Sequence, residues 1–238
     1  MDEREQVEPT GLTRRGSLVR LGGLVAGVLG AAGVAGASES DAAGEGPAAV
    51  ASGELSCILA PEQTEGPYYI DGEKLRQNIT EGRPGTPLKL RLKVVNATTC
   101  KPIKGALVDI WHADAGGVYS GFGSGAANRT FMRGIQRTNA QGLATFVTVY
   151  PGWYPGRTVH IHVKVHLGGN VVHTGQLYFP DRITDAAYRR GPYSSRPGRT
   201  TRNASDAIFR NGGSRSLLSL QKTATGYTGS ITMGVVRR

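Results

Sequence analysis

The sequence predicts an all-β fold, a β-sandwich with short helices and long loops. Two observations predict it: short runs of alternating apolar and polar residues recur along the chain, and 35 glycines and 12 prolines punctuate them. The 238 residues and 39% hydrophobic content suit one substantial globular domain.

The chain opens on a segment that is not part of that domain. Thr13-Arg14-Arg15-Gly16-Ser17-Leu18 sets paired arginines ahead of an apolar Gly/Ala-rich run from Leu21, and Ala35-Gly36-Ala37 offers small residues for cleavage. Residues 1–37 therefore read as a twin-arginine-type export signal. The run is too short and too diluted by glycine for a membrane anchor. Membrane contact is expected only transiently during export, and the mature chain is expected outside the cell. Residues 38–55, rich in Ala, Gly, Ser and Glu, cannot bury enough apolar surface to order themselves and read as a flexible linker. The ordered domain is then 56–238. Its two cysteines, Cys57 and Cys100, can bridge in an oxidising compartment, and closing that loop would contribute about 4 kcal/mol on the chain-entropy account. Two free thiols are the other reading.

Within the domain, Pro87–Val95 alternates so regularly that a half-exposed strand is expected, and Gly105–His112 reads as a second, more buried strand. Ala113-Asp114-Ala-Gly-Gly-Val-Tyr119 turns and delivers a tyrosine, with Asp114 suited to cap the turn. Leu143–Tyr150 is a third strand. The chain is organised around the stretch that follows it, Tyr150-Pro-Gly-Trp-Tyr154-Pro-Gly-Arg157-Thr-Val-His160-Ile-His162-Val-Lys-Val-His166-Leu167. Val159, Ile161, Val163, Val165 and Leu167 fall on one face of a strand and His160, His162, Lys164 and His166 on the other. Histidines at i and i+2 lie about 7 Å apart on one face, so both imidazoles can reach one metal ion. A polar face turned to water would tolerate the same residues. The Pro/Gly turns that re-aim the chain around Tyr154 favour the metal. Val171–Phe179 alternates again, helical turns are expected over Thr184–Arg190 and Ser205–Arg210 with Thr184 and Ser205 as caps, and a last strand over Ser230–Val236 completes the sandwich.

The formal charge of +10 does not make a nucleic-acid binder, because neither a recognition module nor a basic stripe with base-stacking aromatics is present. It reads as the basic surface of an exported protein.

Five segments in order, Thr64-Glu-Gly-Pro-Tyr-Tyr69, Val108-Asp-Ile-Trp-His-Ala-Asp114 with Gly117-Val-Tyr119, Pro151-Gly-Trp-Tyr154, Arg157-Thr-Val-His160-Ile-His162 and Gln176-Leu-Tyr-Phe179, resemble the intradiol ring-cleavage dioxygenases. That resemblance implies a prealbumin/Ig-like sandwich carrying a mononuclear non-haem Fe(III) held by Tyr119, Tyr154, His160 and His162. It implies catechols and O2 as substrates and cis,cis-muconic acids as products, with Tyr154 as the phenolate that yields to substrate and serves as its base. Arg157 would stand beside the substrate ring and Gln176 behind it. Phenolates are hard anionic donors that suit a trivalent ion. The family's usual members are cytoplasmic, so an exported chain departs from them. His112, His166 and His173 are expected to be surface or supporting residues, not ligands, with His112 alternating outward. Tyr68 and Tyr69 would line the pocket mouth or pack the domain edge. The reading from another functional class is a non-catalytic, exported transthyretin-like sandwich that binds a wall polymer or an aromatic ligand.

Overall fold

Alternation along the chain becomes strands wherever one face can be buried. The computed structural model describes residues 60–72, 74–123 and 125–236; the expected export signal, the linker and Cys57 lie outside the described residues. Cys100 is disulfide-bonded.

Strand β1 (Pro87–Asn96) buries Leu88, Leu90, Leu92 and Val94 and turns Lys89, Arg91 and Lys93 outward. It pairs antiparallel with β4 (Leu143–Val149) and parallel with β8 (Tyr227–Val235), which also pairs with β7 (Ser219–Lys222). The second sheet is antiparallel throughout. It sets β3 (Arg133–Arg137), β2 (Leu107–Trp111), β5 (His160–Leu167) and β6 (Asn170–Tyr178) side by side in that order. The inward residues of both sheets, among them Leu90, Leu92, Val108, Ile110, Phe146, Ile161, Val163 and Leu177, form one core. The expected all-β sandwich is the observed one.

β3 and β7 are the strands that sequence alternation does not reveal. Arg-Gly-Ile-Gln-Arg has no apolar period, and Ser-Leu-Gln-Lys is only 4 residues long. Pairing with their neighbours, not a buried stripe, makes them strands.

Both faces of β5 are buried. Val163 faces the core, and Lys164, 8% exposed, lies under the segment before β1, where Glu65 pairs with its ammonium and the Tyr69 ring centre sits 3.4 Å away. His112, expected to alternate outward, is instead fully buried. Its Nδ1–H donates to the Ala113 carbonyl at 2.8 Å, and Nε2 faces the Thr148 hydroxyl at 2.8 Å. β2 ends at Trp111, so the strand's alternation no longer governs the next residue.

The helical caps also differ from expectation. Helix α1 (Asp181–Ala187) starts after Pro180 without a side-chain cap, and Thr184 lies inside it, its hydroxyl bonded to the Tyr150 phenol at 2.9 Å. Helix α2 (Ala207–Arg210) is capped by Asp206 rather than Ser205, because Ser205 serves the preceding 3-10 turn by accepting the Arg202 N–H at 3.0 Å.

Candidate metal centre

The outer face of the β2–β5–β6 sheet carries Trp111, His160, His162, Gln176 and Tyr178, since register pairs Trp111 with His162, His162 with Gln176 and His160 with Tyr178. Loops roof this face and bring in the phenols. Tyr119 comes from the turn after β2, where the Asp114 carboxylate accepts the Gly116 and Val118 N–H groups at 2.8 and 3.0 Å, the capping role expected of it. Tyr154 comes from the turn before β5. The two turns are laced together: Gly152 N–H donates to the Asp114 carbonyl at 2.9 Å, and Arg196 donates to the Trp153 carbonyl at 3.2 Å. A Cβ on Gly152 would collide with the Ala115 and Asp114 carbonyls, and one on Gly117, whose φ is 77°, with the Trp153 carbonyl. Only glycine permits this approach.

All four expected donors meet. His160 Nδ1–H donates to the Thr158 carbonyl at 2.7 Å, which leaves the Nε2 lone pair facing inward. The Tyr154 hydroxyl lies 3.1 Å from that Nε2, and His162 Nε2 also lies 3.1 Å from it. The Tyr119 ring stands 5.7 Å from Tyr154 and 6.1 Å from His162, centre to centre. Its hydroxyl is buried without a well-formed hydrogen bond, and the Tyr154 phenol is the polar neighbour that acts on it. Apart from its Nε2 contact with His160, His162 is held by packing. Trp111 stacks on it at 4.9 Å and 5°, Gly66 backs its Cε1, and its Nδ1 has no hydrogen-bond partner among the described residues.

Burial sets the charge state. It lowers His160 to about 3, with the Arg157 charge pushing the same way, and lowers His162 well below the usual histidine value, helped by His160 and Arg157. It raises both phenols, Tyr119 well above the ordinary tyrosine value with Tyr154 adding to the effect. Two neutral imidazoles and two phenols that resist ionisation thus point at one spot, where only a cation would make phenolates favourable. Among the described residues no three His, Cys, Asp or Glu side chains come together, so any ion bound here needs the tyrosines. The donor set fits a hard, highly charged metal.

Arg157, 18% exposed at its side chain, is fixed twice. Its Nε donates to Asp206 at 2.9 Å and its Nη2 to the Gln176 carbonyl oxygen at 2.5 Å. Gln176 is itself oriented by the Tyr178 hydroxyl at 3.1 Å and by donating to the Thr64 carbonyl at 3.0 Å. Beside the donors opens a cavity of about 430 Å³, lined by Tyr68, Tyr119, Phe122, Tyr154 and Pro155. Tyr68 stacks on Tyr119 at 4.3 Å and so lines the mouth, whereas Tyr69 packs on Trp111. His173 is buried against Glu62 at 3.2 Å, and His166 is half-buried at the β5 bulge, its Nε2 without a hydrogen-bond partner among the described residues.

Residues 64–187, more than half of the chain, match a family model described as Dioxygenase. A solved structure described as an intradiol ring-cleavage dioxygenase from Tetranychus urticae is 38% identical with a TM-score of 0.73, covering 76% of this chain and 95% of that one. This chain is an intradiol ring-cleavage dioxygenase family member. Another dioxygenase in that comparison, the dioxygenase domain of a carbohydrate-binding fusion from Streptomyces sp. SirexAA-E, is 35% identical with a TM-score of 0.59, covering 76% of this chain and 99% of that one. Catechol 1,2-dioxygenase 1 of Acinetobacter lwoffii is 32% identical over 100 residues; the match spans 40% of this chain and 32% of that protein's length. Sequence reasoning missed two residues that support this cluster, Asp206 beside Arg157 and Trp111 under His162, and left Tyr68 between the pocket mouth and the domain edge. Trp111 and Tyr68 lie in the recognised segments, but only the register shows what they touch.

Proposed function

We propose that the protein is a non-haem Fe(III) intradiol dioxygenase that cleaves catechol-type diols with O2 to cis,cis-muconic acids. The observation that carries this reading is the convergence of Tyr154 Oη, His160 Nε2 and His162 Nε2 at 3.1 Å spacings beside the buried Tyr119 hydroxyl. Tyr119, Tyr154, His160 and His162 would hold the ion. When bound, ferric iron would chelate the diol and draw electron density from its ring, opening the ring carbons to O2.

The chain's own residues supply the rest. The two phenols are not equivalent. Tyr119 is 5% exposed and clasped by Tyr68, whereas Tyr154 is half-buried on the cavity wall. Tyr154 is therefore the one free to yield to substrate, and its Oη takes the proton of the diol's second hydroxyl. Tyr119 stays in place. Arg157, clamped between Asp206 and Gln176, holds a fixed positive charge that favours anionic character in the ring under attack. Tyr68, Phe122 and Pro155 give the ring an apolar wall and exclude water from it. A non-catalytic binding sandwich has no need to bury two phenols against two imidazoles.

Purified protein is expected to contain about one iron per chain and to be red from tyrosinate-to-iron charge transfer. Anaerobic catechol should shift the absorption to longer wavelength, and admitting 18O2 should give muconate carrying both labelled atoms. A colourless iron-loaded protein would overturn the ligand set. Export by the twin-arginine route is part of the same proposal, since that route carries folded proteins and lets iron load inside the cell. An exported enzyme would meet catechols released from plant aromatic polymers. Mature protein found only in the cytosol would sink it.

A further inference from the structure

We infer that Asp206, outside the 64–187 stretch matched by the family, is a positioning residue that holds Arg157 at the substrate ring, an inference resting on the role given to Arg157 above. Asp206 is 1% exposed, and its carboxylate is fully used. Oδ1 accepts the N–H groups of Ile208 and Phe209 at 2.8 and 2.9 Å, capping α2; Oδ2 accepts the Thr158 N–H at 2.7 Å and Arg157 Nε at 2.9 Å. Four donors fix the carboxylate, and the carboxylate fixes the guanidinium. Nε on Asp206 and Nη2 on Gln176 hold the guanidinium from two sides.

The same hold reaches the metal strand. Thr158 donates its N–H to Asp206 and its hydroxyl to Asn203 at 2.7 Å, while its carbonyl seats His160 Nδ1. Asn203 is in turn anchored by donating to the Phe179 carbonyl at 2.9 Å and the Asp181 carboxylate at 3.1 Å. The 203–210 segment therefore acts as a buttress behind the turn into β5. An arginine left to wander over its rotamers would lose the alignment on which its electrostatic effect depends.

Asp206→Asn separates positioning from folding. Asn is as good a helix cap as Asp, so one amide oxygen can keep α2. Its NH2 would then face the Thr158 N–H and Arg157 Nε–H, donor against donors, and the clamp opens. Thr158 keeps its hydroxyl bond to Asn203 and so still seats His160; we expect iron content and KM for catechol within about twofold of wild type, the same colour, and kcat lower by about ten- to a hundredfold. Adding Asp206→Asn to Arg157→Gln should cost less than about twofold more, because the clamp then has nothing to hold. Additive losses in the double variant would overturn the inference, as would a single variant with wild-type kcat. A second readout needs neither iron nor turnover: phenylglyoxal labelling of Arg157 followed by peptide mass spectrometry. Labelling should be several-fold faster in folded Asp206→Asn than in wild type, and equal rates would refute the clamp. If wild type neither binds iron nor cleaves catechol, the functional reading falls and the labelling still decides the clamp.

Discussion

A phenol oxygen and an imidazole nitrogen differ little in size, yet each of the four donors is held differently, and substitutions should separate their roles. Tyr119→Phe deletes a buried oxygen while keeping the ring that Tyr68 stacks on, so iron content is expected to fall at least about tenfold with little change in stability. His160→Ala should lose iron comparably, as measured by metal analysis of the purified variant. Arg157→Ala touches none of the donors directly. It should keep iron and the red colour and lower kcat by about 10²–10³; normal turnover would contradict the electrostatic role. At this scale the sequence was most legible. The four expected donors, Arg157 and Gln176 sit in short segments whose residue types suggest one cluster, and the structure brings the six side chains together. Asp206 was not legible, because its bond to Arg157 spans 49 residues and nothing local marks it except a helix cap, assigned instead to Ser205.

Turns and strands set where those residues point. The Tyr119 and Tyr154 turns touch through backbone at Gly117 and Gly152, so Gly152→Ala, which would press a methyl against two carbonyls, should cost about 2 kcal/mol or more and displace both phenols. Thermal melting and iron content would register both effects. Because the turns are laced, the yielding proposed for Tyr154 would use rotation of its side chain while its backbone stays put. The contact of His112, just past β2, with Thr148 on β4 carries a pH signature. Burial lowers His112 to about 4, below its unfolded value near 6.5, so the unfolded chain takes up the proton first. Stability is therefore full above pH 6.5 and falls as pH drops toward 4, by up to about 3 kcal/mol from this residue. His112→Gln should flatten that acid limb in urea titrations at successive pH values. Strands with clean alternation, β1, β4, β5 and β6, were readable from sequence. β3 was not, since Arg133 is buried there by donating to the Ser120 carbonyl at 2.7 Å, a tertiary contact no periodicity encodes.

At the scale of the molecule, the sandwich was readable because alternation and turn residues report which faces meet, whereas the roofing of the second sheet's outer face depends on loops whose course they leave open. The hydrophobic interior lies between the sheets, and the donors lie on the far side of one of them. Phe146→Ala, a core truncation, should cost about 3–5 kcal/mol in denaturant titrations and leave iron stoichiometry and kcat per folded molecule unchanged. The converse also holds. Stripping the proposed iron with a chelator should take nothing from the packed interior, so the emptied protein is expected to keep its circular dichroism spectrum and regain colour when ferric salt is returned. A scaffold that stands without its cargo can be filled, drained and filled again, and one that travels folded from one compartment to another could acquire its metal at either end of the journey.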